Sequence, residues 1–409
     1  MFTLDAYRLF LLIGVVHAFA TQLIYPVVAI YYVQTAGLDP LQLVFVGTVL
    51  ELTIFVLEVP TGILADLYGR RLSVIFGYAL IGLCFVLEGA VPLFVAILVA
   101  EIVRGAGETC ISGALDAWLA DEIGSDRLGS AYLRSSQLRQ IASLLGIAVG
   151  TLLTTLSLNL PIVLGGALLI VLAGFLALSM RETGFTPSHE PRTSPARTML
   201  GTFNAGLQVA RVRPVVLTLL LVGLFAGASS EGFGRLWEAH LLSSIRFPAL
   251  GNLEPVVWFG MINLGAALLN LLVAEVALRR LELTSSKKMA RYLLLCSALT
   301  IGSTVVFGLS HDFVVALGAF WLLSGIGTLA GPIAQTWLNS SLESRSRATM
   351  LSVVSQADAL GQLMGGPVVG WVGTVRSLRA AMVLSALLLA PALPLYARAA
   401  KREGRLEQP

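Results

Sequence analysis

The stretch "EVPTGILADLYGRRLSV", Glu58–Val74, decides how the rest of the chain is read. It places Glu58, Asp66, Arg70 and Arg71 beside Pro60, Gly62 and Gly69, between two apolar runs each long enough to cross a bilayer. An acid near the end of one run and two arginines opening the next describe a short turn at a membrane surface. Arginines in such a turn pin its side of the membrane. An Asp is favoured by the positive end of a helix dipole, and Gly69 gives the backbone freedom to reverse.

Outward from this turn, the composition points the same way. Of 409 residues, 56% are hydrophobic and 12% charged, and the mean hydropathy is +0.84. A soluble domain is about 45–50% apolar and about 25% charged, so this is a polytopic membrane protein with the bilayer as partner. The net charge is only +3, with no basic tract interleaved with aromatics, which argues against nucleic acid as a partner. Cys84, Cys110 and Cys296 each sit in an apolar run without a CxxC pair, so neither a disulfide framework nor a metal site is indicated.

Twelve spans are expected, at 8–33, 41–64, 72–91, 93–120, 132–156, 160–180, 215–242, 254–278, 291–310, 313–339, 348–373 and 378–397. The first is long enough to span, not a cleaved signal. The longest polar interval, Arg181 to Arg213, divides them six and six. The domains are then 1–182, a loop at 183–213, and 214–409 with a short tail. Of the 27 Lys and Arg residues, 20 fall on one side of this topology and three on the other. That asymmetry predicts both termini and the central loop on the cytoplasmic side, and the expected location is the plasma (inner) membrane.

The halves are related. A shift of 219 residues sets Trp118-Leu119 on Trp337-Leu338, Ser125 on Ser344, Ser136-Gln137 on Ser355-Gln356, and Gly146 on Gly365. Repeated bundles around a midplane site are a transporter arrangement. "GILADLYGRR", Gly62–Arg71, resembles the G-x-L-a-D-r-x-G-r-[kr] signature of the major facilitator superfamily, with Leu67 where a basic residue is usual. The resemblance implies an all-α fold of twelve transmembrane helices in two pseudo-symmetric six-helix bundles, a monomer, and no cofactor. It also implies that Gly62, Asp66, Gly69, Arg70 and Arg71 form a conformational latch that caps helix ends and holds the bundles together in the outward-open state. The equivalent loop of the second half, Leu278–Lys288, keeps charge but not the pattern.

Ionisable groups at membrane depth are costly and mark function by default. In the fourth span Glu101, Arg104 and Glu108 fall within about 60° of one another on a helix. "RGAG", Arg104–Gly107, is similar to the motif of the superfamily's drug/proton antiporters, which implies proton coupling. Glu51 in the second span is a further proton carrier. Glu231, Arg235 and Glu238 repeat the acid–base–acid pattern in the seventh span, and His240 is expected at the interface near its outer end. His17, Gln22, Gln137, Arg139, Asn263, Gln356 and Asp358 are candidates to line a cavity. An internal ion pair or a helix-packing contact is the competing reading for each. "GIAVG", Gly146–Gly150, and "GGPVVG", Gly365–Gly370, read as close-packing elements. The antiporters' fifth-span proline is absent here, and Pro367 stands in the eleventh.

No HExxH, GxSxG or phosphate-binding loop occurs, which argues against an enzyme. The excess of membrane acids suits protons and a cationic or mixed small-molecule substrate. The expected function is secondary active transport by alternating access, as proton-coupled efflux of drug-like compounds. The alternative is proton-coupled uptake of a specific sugar, amino acid or small anion.

Overall fold

The structure, a computed structural model, describes residues 5–185, 213–248, 255–342 and 344–406. The interval 186–212, with Pro187, Pro191 and Pro195, lies outside them. The described residues form fourteen helices and no strand. They are α1 (Ala6–Gln34), α2 (Pro40–Tyr68), α3 (Arg70–Ala90), α4 (Phe94–Ile111), α5 (Ala114–Ile123), α6 (Ser125–Thr154) and α7 (Leu160–Ser179). After the central interval come α8 (Pro214–Ser244), α9 (Pro255–Arg280), α10 (Ser286–Leu309), α11 (Phe313–Ser340), α12 (Ser344–Val375), α13 (Leu378–Leu388) and α14 (Ala392–Leu406). Two crossings, α4 with α5 and α13 with α14, are each built from two helices, which leaves twelve. In hydrocarbon a helix satisfies its own backbone, and this fixes the fold class.

Nine of the crossings are long and apolar enough to span by length and composition alone. The other three are α4–α5, α6 and α12. These carry Glu101 and Arg104, Arg134 and Arg139, and Asp358, charges that lower the mean hydropathy of each.

Two compact units emerge. The first takes the described residues within Met1–Leu38, Val49–Pro195 and Asn252–Leu264; the second takes those within Asp39–Thr48, Ala196–Gly251 and Gly265–Pro409. In the first, α1 packs on α6 through glycines. A Cβ on Gly146 would lie 2.6 Å from the Phe19 carbonyl oxygen, and one on Gly150 would lie 2.7 Å from that of Leu23. In the second, the matching pair α8 and α12 meets through Gly361 and Gly365, against Leu224 and Ala228. Trp118 and Trp337, equivalent under the 219 shift, are both fully buried, as are Leu119 and Leu338.

Four expectations are corrected. The fourth span does not run unbroken from 93 to 120 but breaks at Ser112-Gly113, where Gly113 takes a φ of 70°. The 219 shift places that break on Gly331-Pro332, within α11. The last span breaks between α13 and α14 and continues beyond 397. The second span reaches Tyr68, because nothing in "GILADLY" stops a helix before Gly69. Asp66 is therefore in the last turn of α2, the negative end of its own dipole. Finally, His240, near the end of α8, does not present its ring at the surface as an interfacial side chain would: it is fully buried and packs against Phe307.

Candidate functional site

The α2–α3 turn is a single residue, Gly69, at a φ of 109°. It has no side chain to cap α3. The cap comes instead from Glu182, just past the end of α7, whose carboxylate accepts the backbone N–H of Arg70 at 2.6 Å and of Arg71 at 3.2 Å. The acid at the positive end of α3 is thus Glu182 and not Asp66. The arginines cap in the opposite sense. Arg71 donates to the Met180 and Ala177 carbonyls at the end of α7, at 2.7 and 2.6 Å. Arg70 donates to the Ala117 carbonyl of α5 at 3.0 Å, pairs with Asp121, and lies 3.9 Å from the exposed carboxylate of Asp66. A Cβ on Gly62 would meet nothing within 4 Å, so close packing does not explain that glycine.

Below this turn, Thr183 and Gly184 close over α5. The Glu122 carboxylate accepts the N–H and hydroxyl of Thr183 and the N–H of Gly184. Burial alone would raise its pKa, but these hydrogen bonds outweigh it and hold the carboxyl below its ordinary value. Glu58 donates nothing to the turn. It accepts the Ser112 hydroxyl at 3.0 Å, at the break in the fourth span.

The α4 constellation assembles as its spacing predicts. Arg104 donates to both carboxylate oxygens of Glu101 at 3.1 Å, and its Nε lies 3.8 Å from Glu108. Glu101 is 1% exposed, whereas the Glu108 side chain is 35% exposed. The guanidinium rests over Tyr25 of α1 and Phe85 of α3, 5.7 and 5.4 Å from their centroids. One residue the spacing argument passed over stands beside this group: Glu88 of α3, fully buried. Its signal was present, as a lone acid in the apolar run "GLCFVLEGA".

In the second unit, Arg235 of α8 donates to Glu231 at 2.9 Å. Glu238 is buried, and its Oε2 has no hydrogen-bond partner. Trp237 is buried and stacks on Phe320 at 4.3 Å. Gly47, at the start of α2, leaves room for the Arg235–Glu231 pair, since a Cβ there would fall 1.9 Å from the Glu231 carboxylate. A cavity of about 580 Å³ opens among α8, α10, α11, α12 and the last crossing. Phe233, Phe320 and Tyr396 supply aromatic wall, and Ser297, Thr300 and Thr304 of α10 supply hydroxyls that the sequence reading did not single out. Among the described residues, Asp358 is its only charged lining residue. Its carboxylate accepts the Gln362 amide at 2.8 Å, and no cation pairs with it among the described residues.

The remaining candidates divide. His17 packs on Tyr78, with Arg139 nearby, and Gln22 lies under Gly146. Gln137 accepts from Arg134 at 3.2 Å, and both it and Arg139 are exposed. A guanidinium exposed at mid-span calls for water, not hydrocarbon. Asn263 donates to its own helix at Phe259, 2.9 Å away, as packing glue would. Glu51 and Gln356 are half-buried on α2 and α12.

Comparison with known proteins agrees with this architecture. Over 372 residues the chain is 22% identical to YxaM of Bacillus subtilis (strain 168), an uncharacterised MFS-type transporter, covering 90% of this chain and 89% of that one. Among solved structures, a peptide transporter, POT, in complex with sulfate superposes with a TM-score of 0.75 at 13% identity, covering 98% and 95% of the two chains. The nucleoside transporter NupG gives 0.72 at 13%, covering 97% and 98%. A bacterial homologue of the human lysosomal transporter Spinster gives 0.71 at 16%, covering 97% and 96%. The sequence profile described as Major Facilitator Superfamily matches residues 10–290.

Proposed function

The chain belongs to the Major Facilitator Superfamily, and we propose that this multi-pass membrane transporter, not an enzyme, exports drug-like compounds in exchange for protons. Alternating access of the two six-helix halves carries the substrate. The second-unit cavity carries the reading: about 580 Å³, aromatic on one wall, hydroxyl-lined on another, with a single unpaired carboxylate at Asp358. Such a site suits a compact amphipathic cation. The buried groups around Glu101, Arg104 and Glu108 supply proton coupling, with Glu51 and the Glu231–Arg235–Glu238 series as further coupling groups. The 20-to-three asymmetry of basic residues supports cytoplasmic termini, and the family resemblance supports a monomer in the plasma (inner) membrane.

The test is transport in proteoliposomes with an imposed proton gradient, using a fluorescent phenanthridinium dye. Vesicles acidic inside should accumulate the dye, and Asp358→Asn should abolish accumulation. Dye movement indifferent to the gradient would sink the reading. Uptake of peptides or nucleosides driven by acid outside would instead establish the second reading, proton-coupled uptake of a specific solute. The solved peptide and nucleoside transporters of the same fold favour that alternative.

Asp66 acts in cycling and not in binding. Exposed and only 3.9 Å from Arg70, it is free to change partners while Arg70, Arg71 and Glu182 hold the turn. Asp66→Asn should slow net transport while leaving dye affinity unchanged. Loss of affinity with normal turnover would refute the latch.

A further inference from the structure

We propose that Glu88 is the proton-holding carboxyl of the first unit, sharing one guanidinium, Arg104, with Glu101. Two acids and one cation share a closed space. Glu88 is 0% exposed and Glu101 1%, and among the described residues Arg104 is the one cation beside them. Arg104 is committed to Glu101 through two hydrogen bonds of 3.1 Å. The Glu88 carboxyl faces only neutral polar groups, the Tyr32 hydroxyl and the Cys84 thiol, and has no cation of its own among the described residues. A second buried carboxylate left without a counter-charge in this medium is more costly than a neutral acid. The pair therefore carries one proton, and it resides on the carboxyl that Arg104 does not hold.

The helix geometry brings the two acids together. Cα–Cβ bonds tilt toward the N-terminus of a helix. Glu88, near the end of α3, leans back into the bundle, and Glu101, on the antiparallel α4 after a three-residue turn, leans out toward it. Cys84 lies beside Glu88 on α3, and Tyr32 faces it from α1. Tyr31 anchors the segment by donating to the Glu88 backbone carbonyl at 2.9 Å. From α4 come Glu101, Arg104 and, at greater exposure, Glu108. α7 contributes no ionisable side chain, and α5 packs at the far end of α3, around Arg70 and Asp121. Movement of Arg104 toward Glu88 would give that carboxyl a counter-charge and release the proton it holds.

The role in transport rests on the proton-coupled reading above, whereas the proton site itself does not. The test is infrared difference spectroscopy, acid against alkaline buffer, on the full-length protein in liposomes without substrate. Wild type should show the C=O stretch of a protonated buried carboxyl. E88Q should remove one component of that band, and E108Q should keep it; the buried Glu238 contributes its own component, identified by its loss in E238Q. A wild-type minus E88Q difference without a lost C=O component, or a band absent from wild type, overturns the assignment. A band that disappears when sodium replaces choline at constant pH also overturns it, because the site would then be a sodium site. Should E88Q fail to elute as a monodisperse protein, E88D carries the test. A shifted band supports the site and an unchanged spectrum refutes it. In transport, E88Q should retain dye exchange and lose at least about tenfold of gradient-driven accumulation, roughly 1.4 kcal/mol of coupling. If wild-type transport ignores pH yet the band depends on Glu88, the coupling reading falls and the proton site stands.

Discussion

The turn after the second crossing is built differently in the two halves. Between α9 and α10 the connection runs from Leu281 to Ser285, and it caps itself: Ser285 accepts the Lys288 N–H at 3.4 Å. Its charges pair locally and in water, Arg279 with Glu275 at side-chain exposures of 75% and 55%, and Lys288 with Glu282 at 47% and 70%. Between α2 and α3 the N-cap position is Gly69, which has no oxygen to offer. The cap is imported from Glu182, and the arginines return the contact to the carbonyls of α5 and α7. A glycine needed for its φ thus forces three helix ends into one hydrogen-bonded knot. The self-capped turn leaves its neighbours independent.

Breaking the knot should therefore cost far more than breaking the other turn. Arg70→Ala strips Asp121 of its partner and the Ala117 carbonyl of its donor. We expect a loss of about 2–3 kcal/mol, read as a lower thermal midpoint in detergent. A loss no greater than that of Arg279→Ala would erase the distinction. Gly69→Ala comes next. Its Cβ would sit 2.7 Å from the Glu182 carboxylate, on a backbone of positive φ. About 1–3 kcal/mol is expected, and Glu182→Ala in the same chain should relieve the clash but not the backbone strain.

Acid sharpens the comparison further. The Glu122 carboxyl is held below its ordinary value by Thr183 and Gly184 despite partial burial. A carboxylate with a depressed folded pKa contributes stability that is present above its unfolded pKa. That stability is lost as pH falls through the folded one. The α5–α7 end should accordingly loosen below the ordinary carboxylate range, measured by amide exchange at Thr183 and Gly184. Glu122→Gln should flatten that dependence, and an unchanged acid profile in the variant would remove Glu122 from the knot.

The fold was legible because hydropathy reports directly on burial in lipid. The "GILADLYGRR" signature, the span count and the Trp118/Trp337 repeat all follow from patterns along one chain. The candidate site was legible only where partners share a helix. Glu101 and Arg104, and Glu231 and Arg235, are three or four residues apart and meet as helical phase requires. Glu182 lies more than 100 residues from the N–H groups it caps, and Glu88 meets its neighbours across two helices. Neither relation has a period to find. The cavity was equally hidden, since Ser297, Thr300 and Thr304 look like ordinary helix packing until α8 and α11 stand opposite them.

The smallest effect expected is at the second turn, and it tests what the signature is for. Arg279 and Lys288 are as charged as Arg70 and Arg71 and occupy the corresponding place in their half. If charge alone made such a turn matter, Arg279→Ala would approach Arg70→Ala in cost. Exposed pairs gain little, because water screens them and the side chains lose entropy in forming them. Arg279→Ala should therefore change stability by no more than about 0.5 kcal/mol, and raised salt should abolish even that. Arg70→Ala should stay costly in the same salt, because the largely buried guanidinium also donates to a backbone carbonyl, that of Ala117, which salt does not screen as it screens an ion pair. Equal salt sensitivity in the two variants would mean that the first turn, too, is held by screened surface charge.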